Sequence, residues 1–280
     1  ADPPAVDDVL DLPEEASTTG AEAATAAVDE ATGTSSVAFT GQTSVEGITF
    51  DGAVEGAVGV AEYDTPPAAT GAAPGASVSV VEISVPVSAT ETPATIRTRI
   101  SADRLNAVNA ASGDLRLSRH ADGEWQALET TVVEETGDGV VLEAETPGFS
   151  TFAVSAVSEP DAAITVPVET VDPGETVTLS GLQSSDQYGE IVAYEWSIDG
   201  DAATGSTAEA AFDEAGEYEV TLTVTNDAGE RDTATQTVTV ADADEPVEEP
   251  GLFSLRTLGA VGVAVAMALL IVAVVRRADS

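Results

Sequence analysis

The sequence contains no cysteine and no lysine. It has a single histidine, His120, and aromatic residues make up only 4% of its 280 positions. Each shortage removes a class of function. Without cysteine there is no thiolate nucleophile, no disulfide framework and no Cys-ligated zinc or iron–sulfur centre. Without lysine there is no P-loop. Nine arginines stand against 50 acids, a formal net charge of −41. Such a chain is repelled by phosphate, so nucleic acid is not an expected partner. A basic patch for a membrane surface is missing for the same reason.

What is abundant is carboxylate. An acidic, aromatic-poor composition is either disordered or suited to concentrated salt. The hydrophobic share of 43%, much of it alternating, argues for a folded protein. At molar salt the Debye length shrinks to about 3 Å, and dense carboxylates stop repelling one another. The charge therefore points to a halophilic setting. The acids are also unevenly placed. Six of the nine arginines and all but one of the 50 acids precede Pro250.

One long apolar run exists, Leu258 to Val275, with Arg276 and Arg277 directly after it. Eighteen residues of helix span about 27 Å, close to one hydrocarbon thickness. The Arg pair places the C-terminus on the cytoplasmic side. The expectation is a single-pass cell-membrane protein with its N-terminal bulk outside the cell. Export needs a signal, and none is visible after Ala1. Either a signal peptide has been removed or the chain is the C-terminal part of a longer protein.

Along the chain, residues 1–36 carry almost no large apolar side chain and are expected to be a disordered acidic leader. Period-2 alternation begins near Val37 and defines a first β domain over 37–158. The parity of apolar positions flips between Val80 and Val81, which predicts a bulge or a break there. Pro86 puts the end of this strand at an edge or in a loop. Leu105 to Ala111 is the one place for a short helix. The second domain, 159–241, is cleaner. Strands are expected around Ile164–Val168, Val177–Leu179, Val192–Ile198, Tyr218–Val224 and Val238–Val240, with Trp196 in the core. Residues 242–250 form an acidic linker, 251–277 the transmembrane anchor and 278–280 a cytoplasmic tail. The fold class is thus all-β: two tandem β-sandwich domains, the second immunoglobulin-like, plus one C-terminal transmembrane helix.

No catalytic constellation emerges. His120 lies in a stretch that reads as a turn, and neither a GxSxG elbow nor an HExxH motif is present. No enzymatic activity is expected. Trp125 and Trp196 both look like core residues. Calcium is the one ligand with physical support, because it takes six to eight oxygens and loop carboxylates supply them. Asp186 with Glu190, and Asp199 with Asp201, are loop acids of the second domain. They are either calcium ligands or solvated surface charge.

The second domain also resembles a family. Gly174-Glu-Thr-Val-Thr-Leu179, the run SSDQYGEI from Ser184 to Ile191, Tyr194-Glu195-Trp196 and Gly216 to Asn226 are similar to the PKD (polycystic kidney disease) domain. That family is an immunoglobulin-like β-sandwich. Trp196 leads here into Ser197-Ile-Asp199-Gly200-Asp201, where many members carry Asp-Phe-Gly-Asp-Gly. From about Val78 to Val157 the chain resembles the PGF-pre-PGF domain of archaeal surface proteins. The resemblance rests on Val81-Glu82-Ile83, Gly123-Glu124-Trp125 and Pro147-Gly148-Phe149-Ser150-Thr151-Phe152. The C-terminus resembles a PGF-CTERM signal, with Pro250-Gly251-Leu252-Phe253 before the apolar run and Leu252 where that family has Phe. These resemblances imply a non-enzymatic, membrane-anchored surface protein of a halophilic archaeon, open to archaeosortase processing. Its role would be adhesion, envelope structure or ligand presentation, with an extracellular protein or polysaccharide as partner. The alternative is the C-terminal stalk and anchor of a longer secreted hydrolase whose catalytic domain precedes residue 1.

Overall fold

Alternation along Ala94–Ser101 shows how this sequence builds its core. Ala94, Ile96, Thr98 and Ile100 point inward and are buried, while Arg97 and Arg99 point out. In a strand, successive side chains leave on opposite faces, so one such run lines a core and a surface together. The computed structural model describes residues 3–10, 17–64, 67–168 and 170–242. The expected transmembrane helix and its arginines, the linker after Asp242 and the PGF-CTERM-like motif lie outside the described residues. Among the described residues, no helix is long and apolar enough to cross a membrane.

Among the described residues, the first module contains twelve strands. They are β1 Thr18–Thr25, β2 Ala27–Asp29, β3 Thr34–Ala38, β4 Val45–Phe50, β5 Ala57–Tyr63, β6 Ala76–Ser84, β7 Ala94–Ser101, β8 Leu115–Ala121, β9 Glu124–Ala127, β10 Thr130–Thr136, β11 Gly139–Thr146 and β12 Thr151–Ala156. They form two six-stranded sheets, β1-β5-β6-β12-β8-β9 and β10-β11-β7-β4-β3-β2, every pair antiparallel. Phe50, Phe152, Ile48, Ile96, Leu117 and Leu142 fill the space between them. Each such side chain, fully buried, contributes about 1.5–3 kcal/mol. One helix, α1 Ala102–Val108, sits where a short helix was expected, displaced by three residues. Ser101 caps it by accepting the Arg104 N–H, and Asn109 ends it in the left-handed region at φ 54°.

Residues 1–36 depart from the expected disordered leader. Thr18–Thr25 is a full strand paired with β5, and Leu10, 5% exposed, packs onto the outer face of the same sheet. The reason lies in the neighbour. β5 would otherwise present an unpaired edge, and a small-residue strand satisfies its backbone without large side chains. Glu22 adds an inward carboxylate. It accepts from Thr40 N at 2.6 Å, Gln42 N at 2.6 Å and Thr43 N at 3.0 Å.

The parity flip at Val80 and Val81 has a different cause from the one expected. Strand β6 runs through both residues without a break. Val81 faces the main core, while Val80 joins Leu10, Ala61, Tyr63, Ala73 and Ala153 on the opposite face. This sheet is covered on both sides. A register shift does occur, but it lies where Val154 and Ser155 pair with Ser79 and Ser77, leaving Val78 as the extra residue.

Among the described residues, the second module has seven strands. They are β13 Thr170–Val171, β14 Thr176–Ser180, β15 Ile191–Ile198, β16 Asp201–Thr204, β17 Thr207–Ala211, β18 Gly216–Asn226 and β19 Arg231–Val240. A five-stranded sheet, β13-β19-β18-β15-β16, packs on the pair β14-β17. Trp196, Leu179, Val220, Leu222 and Val238 form the core, as the alternation implied. The Trp196 indole donates to Gly205 O at 2.8 Å. Two expectations change. Ile164–Val168 is not a strand but contributes the isolated bridge Thr165–Ser180, and the laddered segment is the later Thr170–Val171. Val192 is 61% exposed because the register shifts between Ile191 and Ala193, turning Ile191 toward the core instead.

Candidate functional site

The four acids considered for calcium fall into two pairs at opposite ends of β15. Asp186 and Glu190 precede Ile191, whereas Asp199 and Asp201 follow Ile198. Seven steps of about 3.3 Å separate those ends by roughly 23 Å. One ion cannot be held by all four. Among the described residues, no three His, Asp or Glu come together as a metal cluster. Asp199 sits at φ 50° beside Gly200 in the β15–β16 turn. Together with Asp201, Glu209 and Asp213 it lines a cleft of about 530 Å³. Phe212 and Tyr218 stack at 4.3 Å in its wall.

Asp186 has another task. Its Oδ1 accepts the backbone N–H of Tyr188 at 2.9 Å and of Gly189 at 2.6 Å. Its Oδ2 accepts from Asn226 Nδ2 at 2.9 Å and Ser158 Oγ at 3.3 Å. Burial works against the charge. The bonds from Asn226, Tyr188, Gly189 and Ser158 outweigh it and hold the carboxyl below its ordinary value. Asn226 also donates to Ser158 O at 2.9 Å, so the segment joining the modules is tied to the second one. Glu190 takes part through its backbone, where its carbonyl accepts Asp227 N at 3.0 Å.

This loop reaches the first module. The Tyr188 hydroxyl donates to Asp114 Oδ2 at 2.7 Å and lies 3.1 Å from Asn109 O. Burial and the Asp114 carboxylate both push the phenol pKa up. Nearby, Asp227 Oδ2 accepts Gly75 N at 3.0 Å. At Gly189 a Cβ would fall 2.1 Å from Asp227 Oδ1, so any larger residue there would have to displace that carboxylate. Tyr188 and Asp227 thus bridge the two modules, while Asp186 shapes the loop that presents Tyr188. Asp114, Asn109, Gly75, Asn226 and Asp227 were not singled out from sequence. The usable signal was the Asp-x-Tyr-Gly run, whose aspartate favours bonding its own following backbone.

Two sequence expectations on the first module also change. His120 lies in β8, not in a turn, and the turn follows at Asp122 (φ 55°) and Gly123 (φ 86°). Trp125 is half-buried on the edge strand β9 and is not a core residue. Its indole donates to Thr70 O at 3.2 Å, and His120 meets its ring at 5.2 Å, edge-on.

A seven-stranded sandwich built around Trp196, with an Asp-x-Tyr-Gly loop before the central strand, matches a known module. The family model described as PKD domain covers residues 157–240. These residues are a PKD domain. Collagenase ColA of Clostridium perfringens is 40% identical over 75 residues, which is 26% of this chain and 7% of the collagenase. The chain therefore spans only a small fraction of that relative. Among solved structures, the PKD1 domain of the Vibrio cholerae metalloprotease PrtV is 37% identical. It covers 30% of this chain and 100% of that domain, with a TM-score of 0.27. The PKD1 domain of Vibrio anguillarum Epp is 30% identical over 30% of this chain and 95% of that domain, again at 0.27.

Proposed function

We propose that the chain is a non-enzymatic cell-surface protein of a halophilic archaeon, held by a single C-terminal membrane helix with its modules outside the cell. Its work is adhesion, envelope structure or ligand presentation. The observation that carries this reading is the joint of Asp186, Tyr188 and Asp227 with Asp114, Gly75 and Ser158. It makes the PKD domain and the twelve-stranded module one continuous body, which suits a display or spacer element. The uneven charge supports the setting, since almost every acid precedes the apolar run at Leu258–Val275. The Pro147-Gly148-Phe149 run supports a PGF-pre-PGF-like first module, and Pro250 to Phe253 supports PGF-CTERM-type processing by an archaeosortase. Calcium is not required by this reading.

A fractionation experiment tests it. The full chain should stay with membranes, should lose most of its mass to protease added outside the cell, and should become soluble when residues 251–280 are deleted. Release of the intact full chain into the medium would refute the anchor. A second reading is favoured by the match to a collagenase of which this chain spans 7%. In it the chain is the stalk and anchor of a longer secreted hydrolase. The coding sequence upstream of Ala1 separates the two, because a large domain there supports only the second.

A further inference from the structure

Beside the joint lies a cleft of about 490 Å³ that neither module forms alone. One wall carries Trp125, Arg116 and Leu128 of the first module, and the other is the β18–β19 turn of the PKD domain, with Asp227 and Glu230. Glu129 stands at its rim. We infer that this cleft is a binding site for a neutral sugar residue of a glycan, with Trp125 as its stacking platform. The inference rests on the cell-surface reading above, because only outside the cell would such a ligand be met.

Three observations support it. First, Trp125 is already oriented. Its N–H is committed to Thr70 O and His120 packs edge-on against it, so the ring loses little freedom on binding. An indole offers an apolar face to the C–H face of a pyranose. Second, Arg116 is pre-positioned and underused. Its Nη1 is held by the carbonyls of Gly113 and Leu115, both at 2.9 Å. No ion pair involves it among the described residues, although Arg97, Arg104 and Arg231 each have a carboxylate. Its remaining N–H groups face solvent and can donate to a ligand in place of water.

Third, the mixture of charges selects the ligand. An anion would meet Glu129, Asp227 and Glu230 in a chain of net charge −41. A cation would satisfy those carboxylates but oppose the Arg116 charge and leave its N–H groups to water. A hydroxyl accepts from the guanidinium and donates to a carboxylate at once. The volume lies in the range of small-ligand clefts, and apolar Trp125, Leu128 and Val157 line it beside a few polar groups, as is typical of them.

Tryptophan emission of the full chain in detergent and molar salt provides the readout. The chain has two tryptophans, and Trp196 is only 2% exposed with its N–H bonded. A ligand-dependent shift therefore reports Trp125. Maltohexaose, cellohexaose and mannohexaose are the probes, with a deca-lysine peptide as the cationic comparison. At least one sugar should shift the emission with a Kd of about 1 mM or tighter. Arg116→Ala, an exposed change that leaves the far-ultraviolet dichroism intact, should weaken that sugar about tenfold. Trp125→Phe should retain part of the binding by calorimetry, and Trp125→Ala little of it. A shift with the peptide and none with any sugar overturns the inference, as does silence from all the probes. Sugar binding by a chain that fails to stay with membranes would sink the anchor and leave the cleft standing. Membrane retention without sugar binding would do the reverse.

Discussion

The two modules solve the same packing problem in different ways. The PKD domain is held by one apolar layer, and among its described residues Asn226 is the polar residue buried as a whole. The first module places charge inside. Glu62, 3% exposed, accepts Ser44 N at 2.8 Å and Ser79 Oγ at 2.6 Å and is paired with Arg104. Glu22 is 5% exposed and saturated by the loop at Thr40–Thr43. Arg119, 9% exposed, donates from Nε to Ser150 Oγ at 3.3 Å. A core of the first kind depends on volume. A core of the second kind depends also on every polar partner being present.

Single truncations should break that comparison most sharply. Trp196→Ala should cost the PKD domain about 4 kcal/mol through the cavity it leaves. Glu62→Ala should cost the first module about 3 kcal/mol, because it strands the buried Ser44 N and Ser79 Oγ rather than because it opens a void. Refilling the volume separates the mechanisms. Trp196→Phe should recover most of the loss at 196, while Glu62→Leu should recover little at 62. Denaturant unfolding, followed by tryptophan emission and far-ultraviolet dichroism, measures both. If Glu62→Leu proved as stable as the parent, the buried acid would not be holding the module together.

The same contrast explains what the sequence made legible. In the PKD domain, alternation around Trp196 and from Gly216 to Asn226 carried the central strands, because each of them has one wet face and one dry face. In the first module two apolar faces share a strand. Val80 and Val81 therefore looked like a slip in register rather than a doubly covered sheet. The strand Thr18–Thr25 was invisible for another reason. It contributes backbone pairing and one inward carboxylate, neither of which leaves an apolar pattern. At the candidate site, Asp186 stood out as an acid, but its work is local hydrogen bonding. Asp114 and Gly75, which meet Tyr188 and Asp227 across the joint, lie far away in sequence and have no motif.

The N-terminal cover can be probed by volume. At Gly59 a Cβ would meet Leu10 Cγ at 2.7 Å and Val9 Cγ1 at 3.0 Å. Gly59→Ala should destabilise the first module by about 1–2 kcal/mol through this overpacking. It should also raise hydrogen exchange along Thr18–Thr25 while leaving the PKD strands unchanged. Equal protection in β1 would mean that Leu10 does not need to sit there.

Acid should act on both modules through different carboxyls. For Glu22, burial raises the pKa, and the bonds from Thr40, Gln42 and Thr43 lower it further than burial raises it. The folded value thus lies below the ordinary 4.5. A carboxyl of lowered pKa contributes stability that is complete above 4.5 and is lost as pH falls through the folded value. Glu22→Gln should therefore flatten the acid side of the first module's stability curve. Asp186→Asn should flatten that of the PKD domain, since its carboxyl is lowered in the same sense. Melting points taken stepwise from neutral pH into acid would show this. An unchanged acid limb in either variant would assign its acid sensitivity to other groups.

The smallest expected effect bears on whether the two modules need comparing separately at all. Tyr188→Phe removes one hydroxyl that donates to Asp114 Oδ2 across the joint. The net loss should be about 1 kcal/mol, typical of a hydrogen bond to a charged acceptor that water can replace. Its consequence for cooperativity should be larger than its cost. With the clamp intact, calorimetry should give one transition, because unfolding either module exposes the other's Tyr188 or Asp114 contact. In Tyr188→Phe the transition should broaden or split, with the PKD domain and the first module melting apart. Asp114→Asn keeps an acceptor for the phenol and should retain the single transition. Were Tyr188→Phe to melt as one unit as well, the coupling would have to run through Asp227 and Gly75, and Asp227→Ala would then be the variant that separates the modules.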